Sequence, residues 1–369
     1  MEIKIDKTAS DQRFDRFLRK RFKKYPQVRL ADIYSNVRRW LVKVNKKKVK
    51  EQYRLKVGDV VEINDNVKMG SEDLSLLVSQ KDRKLEKVDM KKVEKQIIFE
   101  NDHRIVFDKL PGIPMHPGNK HRNDLCMNDY LDKYAEQYKT ATFKPSFGYR
   151  LDRDTSGVLI AAKSYEALQY INSIIRERDI DKYYLALVAG RFQRHLIIKK
   201  PLTKTYEKEF DRSQVKVDYD TGLEATTECR LEKTIQHPLL GTISLLKVKI
   251  HTGRMHQIRV HLSSEWFPVL GDAVYGNAAV NRILYKWLGI NRQLLHCRKY
   301  SFLDPFQNDQ ITFEAPIPED FKKVLLWKND PNLVVSVAKD IKSVTKEIKP
   351  RDKDTKRSYK DVKRIPRRK

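Results

Sequence analysis

Gly148-Tyr149-Arg150-Leu151-Asp152-Arg153-Asp154-Thr155-Ser156-Gly157 runs directly into Val158-Leu159-Ile160-Ala161-Ala162. The first segment is a polar loop rich in turn formers, holding two carboxylates and two arginines. The second is a short apolar run, consistent with a buried strand. Loops held by rigid elements are where catalytic groups concentrate, which marks Asp152 and Asp154 as candidates. The plain alternative is that one of them caps a turn and pairs with a neighbouring arginine. An Asp-x-Asp pair also suits Mg²⁺ with a phosphate substrate. Beyond the strand, Ser164 reads as the N-cap of a helix with Leu168, Ile171, Ile174 and Ile175 turned inward.

Further along, Lys182-Tyr183-Tyr184-Leu185-Ala186-Leu187-Val188 places a tyrosine pair at a strand start, where core packing is the ordinary reading. Leu246, Val248 and Ile250 alternate with Lys247 and Lys249, so 243–251 reads as a half-exposed strand. In Thr252-Gly253-Arg254-Met255-His256-Gln257-Ile258-Arg259-Val260-His261-Leu262, the spacings of Ile258 with Leu262 and of His256 with Arg259 predict a short helix with one apolar and one polar face. A surface ion pair is the ordinary fate of such an arginine. His256 and His261 lack the spacing and the Cys or acidic company of a zinc site, so no metal is expected.

Upstream, Phe14, Phe17, Leu18 and Phe22 recur at helical spacing, with Arg13, Arg16, Arg19 and Lys20 between them. A second helix is read from Leu30, Ile33 and Val37, carrying Arg38 and Arg39. Val42 and Val44 alternate with Lys43, Lys46-Lys47-Lys48 is read as a turn, and Val60-Val61-Glu62-Ile63 as a strand. Two short helices and a basic hairpin would clamp an RNA backbone; the charged exterior of a small α+β domain reads equally well. Residues 65–95 are polar and lysine-rich, as in a linker. The last thirty residues carry thirteen Lys/Arg against five Asp/Glu, too little apolar surface to fold alone.

Over 369 residues, two domains and a tail are expected. Lys+Arg is 76 against Asp+Glu 49, a net charge of +27, which favours a polyanionic partner over a merely solubilising surface. Cys126, Cys229 and Cys297 are sparse and unpaired in sequence, as in a reducing compartment. The start lacks an apolar leader and no run is long enough to span a membrane, so a cytoplasmic protein is expected.

Taken together, these segments resemble a known family. The Arg150–Gly157 segment resembles the HRLDxxTSG signature of the RluA-type pseudouridine synthases, Lys182–Ala186 their KxYxA segment, and Gly253–His261 their GRxHQIRxH segment. Asp108-Lys109-Leu110-Pro111-Gly112, Leu270-Gly271-Asp272 with Tyr275-Gly276, Leu295-His296 and Phe313-Glu314-Ala315-Pro316 stand in the family's order. The front module resembles an S4 RNA-binding domain through Val44-Asn45-Lys46-Lys47-Lys48-Val49 and Val57-Gly58-Asp59-Val60-Val61-Glu62-Ile63. Within the family the wording is most like the large-subunit rRNA enzymes of the C type.

The resemblance implies an α+β chain: an S4 domain over 1–66, a linker over 67–95, a catalytic domain over 96–330 and a basic tail over 331–369. The catalytic domain is expected to hold a mixed, mainly antiparallel sheet flanked by helices and loops. By the same resemblance Asp152 is the essential carboxylate, Arg259 its ion-pair partner, and Tyr184 the aromatic that stacks on the base and relays the C5 proton. Arg150 enters the RNA stack where the uridine leaves, and Leu151, Thr155, His256 and Gln257 border the substrate. Arg19, Lys20, Arg38, Arg39, Lys43, Asn45 and Lys46 would contact RNA from the S4 module. The expected partner is structured RNA, above all large-subunit rRNA or an assembling ribosomal particle, met by a monomer that needs no cofactor or metal and binds no membrane.

The chemistry agrees. Converting uridine to pseudouridine breaks the N1–C1′ bond, turns the uracil, rejoins it through C5 and removes the C5 proton. One ionised carboxylate must act at the ribose, by attack at C1′ or by taking the C2′ proton, so an arginine partner is expected. The base must leave its stack to be reached. Two positions depart from the family: Tyr149 replaces the histidine before Arg-Leu-Asp, which is expected to alter positioning or substrate choice, and Leu110 replaces a proline, which is expected to loosen a strand end. The rivals are a non-catalytic ribosome-assembly factor that keeps the fold, and a metal-dependent phosphoryl enzyme using Asp152 and Asp154.

Overall fold

The computed structural model describes residues 2–7, 9–22, 37, 41–64, 85–117, 124–140, 143–192, 195–207 and 212–326. The front module consists of β1 (Glu2–Lys4), α1 (Phe14–Phe22), β2 (Val42–Val44) and β3 (Val60–Ile63), with the strands antiparallel in the order β1-β3-β2. Phe14, Phe17 and Leu18 of α1 pack on Ile5, Leu55 and Val61, while Arg16, Arg19 and Lys20 stay exposed, as the helical spacing requires. The turn falls one residue earlier than Lys46-Lys47-Lys48. Val44 and Lys47 exchange two backbone hydrogen bonds of 2.9 Å, and Asn45 and Lys46 hold φ of 51° and 62°. A two-residue hairpin turn needs positive φ at both positions, which asparagine tolerates well. Asn45, expected to contact RNA, is exposed and locks this turn: its Nδ2 donates to Asp59 Oδ1 at 2.7 Å and its Oδ1 accepts from Val60 N at 2.8 Å. Arg38 and Arg39, with Leu30 and Ile33, lie outside the described residues; Val37 is helical and buried.

The larger part follows in chain order. Its first half is α2 (Met90–Glu94), β4 (Ile97–Glu100), β5 (Arg104–Lys109), α3 (Met127–Tyr134), β6 (Ser146–Phe147), β7 (Ser156–Ala162), α4 (Tyr165–Glu177), β8 (Asp181–Ala189) and β9 (His195–Lys199). Its second half is β10 (Leu202–Glu207), β11 (Arg212–Val217), β12 (Thr226–His237), β13 (Gly241–Ile250), α5 (Gln257–Ser264), α6 (Ala278–Leu288), β14 (Leu295–Asp304), β15 (Asp309–Glu314) and α7 (Glu319–Leu325). A ten-stranded sheet runs β4-β5-β7-β14-β8-β13-β12-β9, with β6 beside β7 and β15 beside β14. Among the described residues β7 and β14 pair in parallel and the other ladders are antiparallel, the mixed sheet that was expected.

All seven residues of β7 are buried, which explains why its sequence is a continuous apolar run rather than an alternating one. Gly157 has φ +111°, and a Cβ there would lie 2.1 Å from Cys297 O, so only glycine lets β14 approach. Ser164 caps α4 through its Oγ, which accepts from Ala167 N at 3.2 Å. Ile171 and Ile174 are buried, with Leu168 and Ile175 partly so against the same core.

Three expectations are corrected. Val88 and Val93 belong to the main core, so this unit begins by Val88 rather than at residue 96. On α5, every residue from Gln257 to Leu262 is buried, so the helix has no exposed polar face. Leu110 does not loosen its strand end: its N–H donates to Gln96 Oε1 at 3.3 Å and its carbonyl accepts from Lys109 Nζ at 3.0 Å. A proline would lack the first of these bonds.

Candidate active site

The loop between β6 and β7 is held from several sides. Lys109, buried at the end of β5, donates from Nζ to Arg153 O at 2.7 Å, Thr155 O at 2.9 Å and Leu110 O. Gly112 N donates to Arg153 O at 3.0 Å, and Thr155 N to Asp152 O at 3.1 Å, which closes a turn around the aspartate. Arg292, itself paired with Asp320, donates to Asp154 O at 3.1 Å. Burial pulls the Lys109 ammonium down to about 7, against the attraction of Asp154 and Asp152. Three carbonyl acceptors favour the charged form, because only an ammonium has three hydrogens to give.

On this loop the Asp152 carboxylate is one-fifth exposed and meets Arg259 of α5, whose Nη1 donates to Asp152 Oδ2 at 3.0 Å. The rest of the guanidinium fork belongs to Asp272, with Nε to Oδ2 at 2.7 Å and Nη2 to Oδ1 at 2.9 Å. Asp272 Oδ1 also accepts from Val274 N at 2.9 Å and Tyr275 N at 3.0 Å. Burial alone would raise the Asp272 carboxyl, but the hydrogen bonds and charge of Arg259, then those amides, hold it below its ordinary value. Burial likewise works against the Arg259 charge, and Asp272 and Asp152 together hold it above its ordinary value. Arg259 is therefore not the ordinary surface ion pair that was the alternative reading: a buried, shared guanidinium links an inner carboxylate to one open to solvent.

His256 forms the N-cap of α5 in a left-handed conformation, φ 54°. Its Nδ1 lies 2.9 Å from Tyr275 Oη and its Nε2 3.9 Å from Asp152 Oδ2. Tyr275 Oη accepts from Val215 N at 2.9 Å, which leaves its own proton for His256 Nδ1. That assignment puts the ring proton on Nε2, facing Asp152. Burial lowers the His256 pKa despite the pull of Asp152, so the ring is neutral near pH 7. The Tyr275 ring also covers the Arg259 guanidinium at 5.1 Å.

The other candidates divide. Arg150 is exposed at the loop, and Leu151 is buried in the core behind it. Thr155 is buried, its Oγ1 accepting from Gln293 Nε2 at 3.3 Å. Tyr184 on β8 is buried beside Cys297, Tyr149 and Tyr300, and burial raises its phenol well above the ordinary value. No described hydrogen bond joins it to Asp152. Gln257, expected at the substrate, faces inward: Oε1 accepts from Thr252 Oγ1 at 2.7 Å and Arg254 N at 3.0 Å, while Nε2 donates to Thr226 O and Thr227 Oγ1 at 3.0 Å. Its amide is satisfied and fixes the start of α5. Asp154 turns to Arg153 rather than joining Asp152. Among the described residues no group of three or more His, Cys, Asp or Glu is arranged to hold a metal ion. Sequence reading assigned no role to Asp272, Tyr275 or Lys109, although all three lie in the quoted motif segments.

The pattern of the RNA pseudouridylate synthase family matches residues 103–264. Ribosomal large subunit pseudouridine synthase C of Buchnera aphidicola subsp. Baizongia pistaciae is 32% identical over 333 residues, covering 88% of this chain and 96% of that protein. The protein of the same name from Escherichia coli is 31% identical over 328 residues, covering 88% and 95%. Among solved structures, human RNA Pseudouridylate Synthase Domain Containing 4 shares the fold, with a TM-score of 0.50 at 20% identity over 67% of this chain and 96% of that one. With such relatives matched along nearly their whole length, the chain is an enzyme of the RNA pseudouridylate synthase family.

Proposed function

We propose that this enzyme isomerises uridines of large-subunit ribosomal RNA, with Asp152 as the catalytic carboxylate. The observation that carries the reading is the chain Asp272–Arg259–Asp152, which presents one carboxylate, fixed and partly open, at the end of a buried ion-pair network. Asp152 acts at the ribose while Arg259 holds its orientation. Tyr184 takes part in removing the C5 proton, and Arg150, free in solvent, fills the RNA stack when the target base flips out. His256 borders the same carboxylate. The front module serves as an S4-like RNA-binding domain through Arg19, Lys20, Lys43 and Lys46, ahead of a catalytic unit that starts by Val88. The names of the relatives support large-subunit rRNA as substrate. The net charge of +27 supports a polyanion.

The test is tritium release from large-subunit rRNA labelled at uridine C5, without added metal or cofactor, with Asp152→Asn run in parallel. Release by the native enzyme and none by the variant is the expected outcome. Equal release by both would remove Asp152 from the chemistry. No release by native protein that still binds the RNA would favour the assembly-factor reading.

A further inference from the structure

The strand that follows the catalytic loop has a gap along one edge. β7 pairs along its length with β5 on one side. On the other, β14 pairs with it at Ser156 and Gly157 and β6 at Ala161 and Ala162. Between these, the edge at Val158 and Ile160 would present a carbonyl and an N–H in the middle of a buried strand. A single side chain meets both. Tyr149 Oη donates to Val158 O at 3.1 Å and accepts from Ile160 N at 3.1 Å. A phenol is both donor and acceptor at one atom, so it takes the place of a missing strand residue. A neutral imidazole nitrogen either donates or accepts, so the family's usual histidine would meet one of these groups with a given nitrogen and not the other.

The ring has a second contact. It stacks on Tyr300 of β14 with centroids 4.7 Å apart and planes 11° from parallel. Tyr300 shares the buried core with Tyr184 of β8, and the two strands are paired there, Cys297 opposite Tyr184 and Tyr300 opposite Lys182. The ladder between β14 and β8 shifts register between Cys297 and Lys299, beside this cluster. Tyr149 also stands three residues before Asp152 and directly after Gly148, which packs so closely on α4 that a Cβ there would lie 2.3 Å from Ile171 Cγ2. We propose that Tyr149 is a positioning residue for the isomerisation: its hydroxyl completes the edge of β7, and its ring, through Tyr300, ties the loop carrying Asp152 to the strand carrying Tyr184. The Tyr149–Tyr300 stack therefore sets the distance between the carboxylate that acts at the ribose and the phenol that acts at the base.

This inference rests on the reading of Asp152 and Tyr184 given above, so the experiment separates the two. Single-turnover tritium release at saturating RNA is compared for native enzyme, Asp152→Asn, Tyr149→Phe and Tyr300→Leu, with RNA affinity and unfolding midpoint measured alongside. Native release with a silent Asp152→Asn upholds the underlying reading, whatever the tyrosine variants do. Folded Tyr149→Phe is expected to turn over roughly 10- to 100-fold more slowly with RNA affinity unchanged, the scale of a small misplacement of catalytic groups. A lowered unfolding midpoint with a native single-turnover rate would make Tyr149 purely structural and overturn the proposal. If Tyr149→Phe does not fold, Tyr300→Leu decides. That variant removes the stack but leaves the hydroxyl bonds to β7; slower turnover at native affinity supports the coupling, and a native rate overturns it.

Discussion

Arg259 serves two carboxylates with one guanidinium, and its planar fork is what makes this possible: Nε and Nη2 lie against Asp272 while Nη1 reaches Asp152. Lysine offers a point charge on a flexible stem and cannot span both. Arg259→Lys is expected to slow single-turnover release by about 100-fold, because Asp152 loses its fixed orientation, with little change in RNA affinity. A lysine enzyme working at the native rate would show that the fork is dispensable. Asp152 and Arg259 were legible in the sequence through their motifs, although 107 positions separate them. Asp272 was not assigned, because a single sequence does not state which carboxylate an arginine will choose. Gln257 shows the converse: its residue type suits a substrate, and burial turned it inward.

At the scale of elements, β7 is where sequence and site meet, since it begins four residues after Asp152. Its parallel pairing with β14 depends on Gly157, where a side chain would strain the backbone and collide with Cys297 O. Gly157→Ala is expected to cost on the order of 3 kcal/mol, combining the strain of positive φ with overpacking. Urea unfolding measures it; a loss within a few tenths of a kcal/mol would mean that the β7–β14 pair yields easily. The buried run of β7, the capped helix α4 and the alternating strand β13 were readable because each follows a local period or cap. The burial of α5 on every side was not, because its sequence mixes apolar and polar residues evenly. Its charges are buried only where Asp272 and Asp152 arrive from elsewhere in the fold.

Across the whole molecule, acid and salt test different parts. His296 is buried with Nδ1 2.9 Å from Ser156 Oγ, and burial lowers its pKa from 6.5 to about 4. The folded state therefore holds this ring neutral while the unfolded chain takes a proton. The stabilisation is complete above pH 6.5, is lost as pH falls toward 4, and amounts to roughly 3 kcal/mol. His237 acts in the same direction, while Asp108, raised to about 6 by burial, opposes it between pH 6 and 4. His296→Gln is expected to flatten the fall of the urea midpoint between pH 6.5 and 4; an unchanged slope would remove His296 as a cause. Residues 331–369 lie outside the described residues. Their basic composition predicts that deleting them weakens RNA binding, more so at low salt, with the chemical step intact. Equal affinities at low salt would refute this. No helix among the described residues is long and apolar enough to cross a membrane. What the sequence by itself determined is what depends on neighbours along the chain: the apolar run of β7, the cap of α4, the turn-forming loop, the excess of positive charge, and the motif positions of Asp152 and Arg259. The tertiary structure alone decided that Asp272 shares Arg259, that Gln257 faces inward, that Asn45 spends its amide on Asp59 and Val60, and that a phenol closes the gap beside β7. Each of those depends on sheet register and burial, which bring together groups far apart in sequence and take buried polar groups away from the water that would otherwise meet them.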